Sequence, residues 1–188
     1  MASIFTHPLI GLAGAKLLPI EKREKRFWAM SILCPLIPDW DGIGFFLGIP
    51  YEHVLGHRGL THSITFALAL AMLTVIIFFR STHIFSRRSM LLFAYFSAIT
   101  LSHGILDALT NGGHGVAFFS PIIETRYFFP FRPIEVSPMS AAEFFGKRGY
   151  HVLLNEILWI WIPLAFLVFA NAKAKVFLKR RRLLSSNP

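Results

Sequence analysis

Long apolar runs separated by short polar segments dominate the chain. Three of them, residues 61–79, 90–109 and 152–170, predict membrane-spanning helices, because a bilayer core of about 30 Å requires roughly 20 apolar residues. Two shorter runs, residues 9–18 and 27–37, predict helices that are too short to cross a bilayer upright. The pattern therefore predicts an all-α, integral membrane bundle of about five helices.

The stretch before the last predicted helix is rich in proline and aromatic residues. It covers residues 116–150 and includes the run from Phe128 to Pro133. So many bulky apolar groups do not suit a solvated linker, and we predict an ordered cap. No internal repeat interrupts the pattern, and 188 residues fit a single membrane-embedded domain over residues 1–188.

Composition and charge support a membrane protein. Hydrophobic residues make up 54% of the chain and the mean hydropathy is +0.56, which is too apolar for an ordinary soluble domain. The formal net charge of +9 would suit a nucleic-acid-binding protein, but the basic residues lie between apolar spans. We therefore expect contact with membrane lipid and no direct contact with nucleic acid. The single cysteine, Cys34, excludes an internal disulfide.

The basic residues also predict an orientation. Most of the 19 lysines and arginines fall in three clusters, which are Lys16 with residues 22–26, residues 80–88, and a tail over residues 173–188. Cytoplasmic segments of multi-pass membrane proteins carry an excess of such residues. We therefore place all three clusters and the C-terminus on the cytoplasmic side, with the N-terminus on the opposite side.

The other end of the bundle then receives most of the histidines and all of the aspartates. The residues placed there are His7, Asp39, Asp41, His57, His62, His103, Asp107, His114 and Glu156. They come from segments that are far apart in sequence, and chance would bring one or two such segments to one end rather than all of them. Because bundle interiors often hold metal sites built from facing helices, we predict a metal site at the non-cytoplasmic end.

Residue spacing indicates how an ion would be shared. His103 and Asp107 are four residues apart, so a helix places them on one face about one turn apart. His57 and His62 are five apart, and we place His57 in a loop and His62 in the first turn of a helix. Imidazole and carboxylate groups suit zinc, with manganese or iron as alternatives. The predicted ligands, enough for one to three ions, are His7, Asp39, His57, His62, His103, Asp107 and His114.

Such a centre suggests hydrolysis of a phosphoester. Paired metal ions generate a hydroxide nucleophile and stabilise both oxygens of a phosphoryl displacement. We therefore predict a membrane-bound hydrolase that uses a metal-activated water on a small-molecule, lipid or lipid-linked phosphoester. Asp41 and Glu156 are the candidate bases, and Arg58 is the candidate phosphate ligand because a guanidinium binds phosphate in bidentate fashion.

These residues also have structural interpretations. Hydrogen-bonded packing, helix capping and turn formation remain open for His7, Asp39, Asp41, His57, His62, His103, Asp107 and His114. Glu156 could pair with Lys147 or Arg148. The alternative function is a non-enzymatic inner-membrane protein whose polar or metal cluster is structural and which binds a regulatory partner at its cytoplasmic face. A metal-ion carrier fits less well, because it needs ligands along a path across the membrane.

Several segments together resemble the YdjM-like family of bacterial membrane proteins. They are Thr6-His7-Pro8, Pro38 to Asp41, His57 to Ser63, His103 to Asp107, Pro130-Phe131 and Glu156. The resemblance covers nearly the whole chain. It implies a bacterial inner-membrane location and a metal-dependent hydrolase of undefined substrate. The family is also described as LexA-binding, which implies a regulatory protein partner.

A fainter likeness is to the all-helical zinc-dependent phospholipase C fold. The residues that match its ligand order are His7, Asp39, His57, His103, Asp107 and His114. This likeness implies zinc and a phospholipid substrate. The sequence departs from the pattern at its end, since His151 and Glu156 are five apart where the phospholipases place His and Glu four apart.

Overall fold

A computed structural model of the chain describes residues 1–20, 23–80, 83 and 85–185, and over these residues the fold is all-helical. Parts of each predicted basic cluster, namely residue 22, residues 81, 82 and 84, and residues 186–188, lie outside the described residues. The α-helices are α1 Thr6–Leu17, α2 Lys25–Leu33, α3 Ile43–Phe46, α4 Ile64–Phe78, α5 Arg87–Ala108, α6 Ala141–Phe144, α7 Lys147–Glu156 and α8 Ile162–Ser185. Two 3-10 segments, Ile37–Gly42 and Leu60–His62, and a π-helical stretch, Ile157–Trp161, complete the helical structure.

The predicted bundle of about five helices is confirmed. α7, the π-helical stretch and α8 follow one another as one continuous helix. Counted as one, this long helix and α1, α2, α4 and α5 make up the five helices of the bundle. Within the part of the chain that the structure describes, two helices are long and apolar enough to cross a membrane, Arg87–Ala108 and Lys147–Lys179. The described fold is therefore that of a membrane helical bundle.

The helix that precedes α5 is shorter than the sequence pattern predicts. A span was expected over residues 61–79, but α4 covers only 15 residues, fewer than the roughly 20 that a bilayer requires. Its start is set by Ser63, whose Oγ accepts a hydrogen bond of 3.1 Å from the backbone N–H of Phe66. This cap leaves His62 just before the helix, in a 3-10 turn.

Small side chains allow the first two helices to approach closely. A Cβ on Gly11 would lie 1.8 Å from the Ser31 carbonyl oxygen, so α1 and α2 could not pack this way with any larger residue there. The hydroxyl of Tyr95 hydrogen-bonds the Gly11 carbonyl at 2.8 Å and ties α5 to this contact. An apolar cluster that includes Phe27, Leu92 and Phe96 fills this half of the bundle.

Described residues of the three basic clusters meet at one end of the bundle. Arg88 Nη2 lies 3.3 Å from Glu24 Oε1, and Lys175 Nζ lies 3.5 Å from the Lys16 carbonyl oxygen. α1 leads away from this end toward His7. The fold therefore separates the basic clusters from the ligand-type residues, as the sequence pattern predicts.

The predicted cap is ordered and closes the other end of the bundle. Isolated backbone bridges join Thr110 to Ile134 and Val116 to Tyr127. Arg126 donates to the carbonyl oxygens of His57 at 2.9 Å and Tyr51 at 2.7 Å. The cap thus holds in place the loop that carries His57.

Candidate metal centre

Four segments bring His and Asp side chains together beneath the cap. One group, in which four ligand atoms lie within 4.8 Å of one another, consists of Asp39, His62, His103 and Asp107. A second group shares His62 and adds Asp41 and His57. The 3-10 segment Ile37–Gly42 supplies the first two aspartates. His103 and Asp107 face the same way from adjacent turns of α5, as their spacing predicts.

The first group has the dimensions of a tetrahedral metal site. His62 Nε2 lies 3.0 Å from His103 Nε2, 3.6 Å from Asp107 Oδ2 and 3.8 Å from Asp39 Oδ1. His103 Nε2 lies 3.2 Å from Asp39 Oδ1. Four ligands at the usual zinc distance of about 2.0–2.1 Å would be about 3.3 Å apart. Two imidazoles and two carboxylates at these separations could hold a divalent ion.

The hydrogen bonds of the His62 and His103 rings determine which ring nitrogens face the candidate metal centre. His103 Nδ1 donates to the Pro35 carbonyl oxygen at 2.7 Å, because a carbonyl can only accept. Thr61 donates its hydroxyl proton to Asp41 Oδ2, so His62 Nδ1, 3.0 Å from Thr61 Oγ1 and 3.1 Å from Asp41 Oδ2, must also be a donor. Both Nε2 lone pairs therefore point at each other across 3.0 Å. Either a proton on one ring or a metal ion between the rings would relieve the repulsion of the two lone pairs.

A proton on His62 would satisfy only part of this centre. Burial by itself lowers the pKa of His62, but the neighbouring Asp107 and Asp41 carboxylates outweigh it and raise the pKa to about 9. That proton would still leave both oxygens of Asp39 buried without a hydrogen bond. A metal ion would satisfy all four side chains at once, and its binding would displace the proton from His62.

His7 lies at the edge of this group and is available as a further ligand. Its ring stacks on His103 with 3.7 Å between centroids, and its Nε2 is 3.9 Å from Asp107 Oδ1. Both ring nitrogens are buried without a hydrogen-bond partner. Burial first, and then the neighbouring His103, lower the pKa of His7 to about 3, so the ring is neutral and keeps a free lone pair.

The Asp41 carboxylate accepts hydrogen bonds from neighbouring residues rather than from solvent. Its Oδ1 accepts from His57 Nδ1 at 2.6 Å, and its Oδ2 accepts from Thr61 Oγ1 at 2.5 Å and from the Arg58 backbone N–H at 3.1 Å. Burial raises the pKa of Asp41, but the hydrogen bonds from His57 and His62 outweigh it and hold the pKa well below its usual range. The sequence predicts Asp41 as a base, and the structure instead makes it the residue that orients both histidines.

Arg58, the predicted phosphate ligand, forms its ion pair and hydrogen bonds with residues inside the protein. Its guanidinium lies 3.0 Å from Asp107 Oδ2 and donates to the Gly112 carbonyl at 2.9 Å and to Thr110 Oγ1 at 3.1 Å. The side chain is buried, and the backbone adopts φ 62°, a left-handed conformation that non-glycine residues rarely adopt. The structure therefore directs the Arg58 guanidinium at Asp107, and its role as a phosphate ligand stays a prediction.

Glu156 is also placed differently from its prediction as a base or as a partner of Lys147 or Arg148. It is buried and accepts hydrogen bonds from Ser3 Oγ at 2.5 Å and Thr6 Oγ1 at 2.7 Å. It thereby ties α7 to the segment that precedes His7. Its contribution to the centre is to position the first turn of α1.

His114 is the predicted ligand that the structure does not bring into the cluster. Its ring is exposed, and Nδ1 lies 3.1 Å from Glu52 Oε1, which is also exposed. The glycines around it form a turn in which Gly113 has φ 88° and Gly115 has φ 82°. The turn interpretation of His114 therefore fits the geometry, and its prediction as a metal ligand does not.

Two contributors to the site were not singled out from the sequence. Pro35 supplies the carbonyl that orients His103, and this carbonyl is free because Pro38 has no N–H with which to bond it in a 3-10 turn. Gly104 allows the His62 backbone to approach α5, since a Cβ there would lie 2.8 Å from the His62 carbonyl oxygen. The three-residue spacing of Pro35 and Pro38 indicates a free carbonyl at Pro35. Nothing in the sequence marks Gly104 as a contact.

The fold and the site together define an all-helical membrane protein with a buried His/Asp cluster that could hold a metal ion. Comparison with known proteins agrees, since the profile of a family described as YdjM inner membrane protein matches residues 1–179. Inner membrane protein YbcI of Escherichia coli (strain K12) is 34% identical over 168 residues, which cover 87% of this chain and 92% of the relative. The chain belongs to the YdjM inner membrane protein family, as its motifs predict. No solved structure matches it.

Proposed function

We propose that this protein is a metal-dependent hydrolase of the inner membrane that cleaves a phosphoester in a lipid or lipid-linked substrate. The observation that carries the proposal is the pair of Nε2 lone pairs of His62 and His103 that face each other beside Asp39 and Asp107. Zinc suits this donor set best, with manganese or iron as alternatives. A bound divalent ion would polarise the phosphoryl group and make a water more acidic.

The protein's own residues can hold such an ion in place and exclude solvent from it. The Pro35 carbonyl and Asp41 fix the His103 and His62 rings, so little reorganisation is needed when the ion binds. The side chain of Asp39 is 11% exposed, whereas those of His62, His103 and Asp107 are 0% exposed. Of these four side chains only that of Asp39 is partly exposed, so we place the approach of substrate on the Asp39 side.

His57 is suited to proton transfer. Its Nδ1–H donates to Asp41, which leaves Nε2 as the nitrogen available to a cavity of about 340 Å³ that His57 and Asp39 both line. At Nε2 the ring can take a proton from the attacking water and return it to the leaving oxygen. Asp41 holds the ring in the tautomer that this role requires. In this arrangement the base is His57, which the sequence analysis assigned as a ligand.

His57→Gln tests this assignment. We expect turnover of a phosphorylated lipid to fall about 100-fold or more, the range that general acid–base catalysis commonly contributes, while the metal content stays unchanged. Turnover is measured in detergent by release of inorganic phosphate, and metal by elemental analysis. His151→Gln, at an exposed histidine, is the matched control. A variant that loses metal and turnover together would make His57 a ligand rather than a base.

A structural cluster is the second candidate, and the Arg58–Asp107 ion pair favours it. A buried arginine neutralises Asp107 without any metal ion. On this hypothesis the protein is not an enzyme, the cluster holds α4, α5 and the cap together, and a regulatory partner binds the basic end. It predicts that His103→Ala lowers the yield of folded protein without removing any activity.

We infer that the basic end, with the C-terminus, faces the cytoplasm and that the metal centre lies toward the opposite side. The excess of Lys and Arg at that end supports the inference. A reporter that is active only in the cytoplasm, fused after residue 188, should be active. The same reporter inserted at the exposed Glu52 should be inactive. The reverse pattern would invert the orientation.

A further inference from the structure

Two apolar clefts meet at Asp39. One has a volume of about 340 Å³ and is walled by Phe5, Phe144 and Phe145. The other has a volume of about 720 Å³ and is walled by Trp40 and Phe46, among others. Both clefts share Asp39, Gly42 and Met139, so they diverge from one point at the edge of the metal centre.

The walls of both clefts present large apolar side chains to the surroundings. Phe46 is 91% exposed, Phe145 83% and Trp40 66%. Such a concentration of exposed aromatic groups marks a surface that contacts lipid or a ligand. In an inner-membrane protein, this surface around Asp39 suits hydrocarbon chains that enter from the bilayer.

The clefts supply mainly apolar surface, although Met1 lines one of them and its amino nitrogen lies 3.9 Å from Asp107 Oδ2. Among the described residues, those that line the two clefts include no lysine and no arginine. A phosphate at their junction would meet the Asp39 carboxylate, and a bound cation at the metal centre would make its approach more favourable. Because the other three side chains of the ligand group are fully buried, only a small terminal group can reach the centre.

We propose that the junction binds a membrane lipid phosphomonoester with two hydrocarbon chains, with the phosphate at Asp39 and one chain in each cleft. The proposal rests on the proposed function, because it uses the same metal centre. The divergence of the clefts on either side of Met139 matches the divergence of two acyl chains from a glycerol backbone. A terminal phosphate matches the narrow access at Asp39.

The test uses phosphatidic acid that carries a photoactivatable diazirine in each of its two acyl chains. The full-length protein is reconstituted in phosphatidylcholine nanodiscs with zinc, irradiated, and mapped by mass spectrometry. We expect labels on both walls, around Phe144–Phe145 and around Trp40–Phe46. Removing zinc with EDTA, or the variant Asp39→Asn, should reduce these labels about fivefold or more. A phosphatidylcholine probe with the same chains should not label the clefts selectively.

Single-site variants distinguish labelling in one cleft from labelling in the other. Phe46→Ser should reduce labelling of its own wall and leave the Phe144–Phe145 wall labelled. Phe85→Ser is the matched control, because Phe85 is 90% exposed and lines neither cleft. Labelling that is confined to one cleft, or equal labelling by a single-chain lysophosphatidic acid probe, would overturn the two-chain assignment.

The experiments can contradict the lipid-binding proposal and the hydrolase proposal independently of each other. If both clefts are labelled in a zinc-dependent way but no phosphate is released, the binding site stands and the hydrolase proposal fails. If soluble phosphoesters are hydrolysed while neither cleft is labelled above the phosphatidylcholine control, the hydrolase stands and this inference is overturned.

Discussion

His103→Ala abolishes metal binding, and this is the largest effect that the site predicts. The variant loses one of four ligand atoms and opens the contact with His62 Nε2, which is 3.0 Å away. Mutation of groups that merely orient a ligand commonly costs 10–100-fold in affinity, so we expect loss of the ligand itself to cost at least about 100-fold. Metal per chain, measured by elemental analysis after dialysis, should fall from about one equivalent to background.

Two controls make this result interpretable. His151→Ala removes an exposed histidine and should keep the full metal content. His103→Gln keeps an amide that can donate to the Pro35 carbonyl, so it should fold better than the alanine variant while it still loses metal. Full metal content in folded His103→Gln would exclude this centre. A parent protein that folds without any metal would favour the structural cluster.

Arg58→Met destabilises the protein strongly, which is the second large effect. Removing one partner of a buried ion pair typically costs about 3–5 kcal/mol, because the other charge stays buried without compensation. Here the remaining charge is the fully buried Asp107 carboxylate, which keeps the Ala2 backbone N–H at 2.9 Å and the Met1 amino group at 3.9 Å, so we expect a loss toward the lower end of this range. The free energy of unfolding, measured in detergent with EDTA present, should fall by about that amount. Arg58→Lys should be less destabilised, because it keeps a positive charge but loses the planar arrangement of donors.

The double variant Arg58→Met/Asp107→Asn identifies the cause. If the unpaired carboxylate is responsible, the double variant should be more stable than Arg58→Met alone. Equal stability of the two would assign the loss to the packing of Arg58 and to its hydrogen bonds with Thr110 and Gly112. Arg58→Met that is as stable as the parent would contradict the ion-pair argument.

Much of the fold and part of the site follow from local features of the sequence. The length of an apolar run predicts a helix, and the four-residue spacing of His103 and Asp107 predicts a shared face, because both depend only on helical geometry. The separation of basic residues from histidines and aspartates predicts which residues share an end of the bundle. These features together place Asp39, His62 and His103 in one cluster.

The roles of individual polar residues could not be predicted in the same way. Whether Arg58 reaches a substrate or Asp107 depends on a left-handed turn and on contacts with residues about 50 positions later. Glu156 meets Ser3 across a sequence separation of 153 residues, and no spacing rule covers such a distance. Residue type indicated that these groups belong to the site, whereas tertiary packing decided what each of them does.

That long separation also sets the order in which a growing chain can complete the centre. His62, His103 and Asp107 are present once α5 has been made, so most of the ligand group can assemble while the C-terminal part of the chain is still being synthesised. The first turn of α1 has no anchor at Ser3 and Thr6 until Glu156 emerges on α7. Before that point the N-terminal segment can already contact α5, through the stacking of His7 on His103 and the Ala2 hydrogen bond to Asp107, so the contacts with Glu156 on α7 are the last part of the site to form.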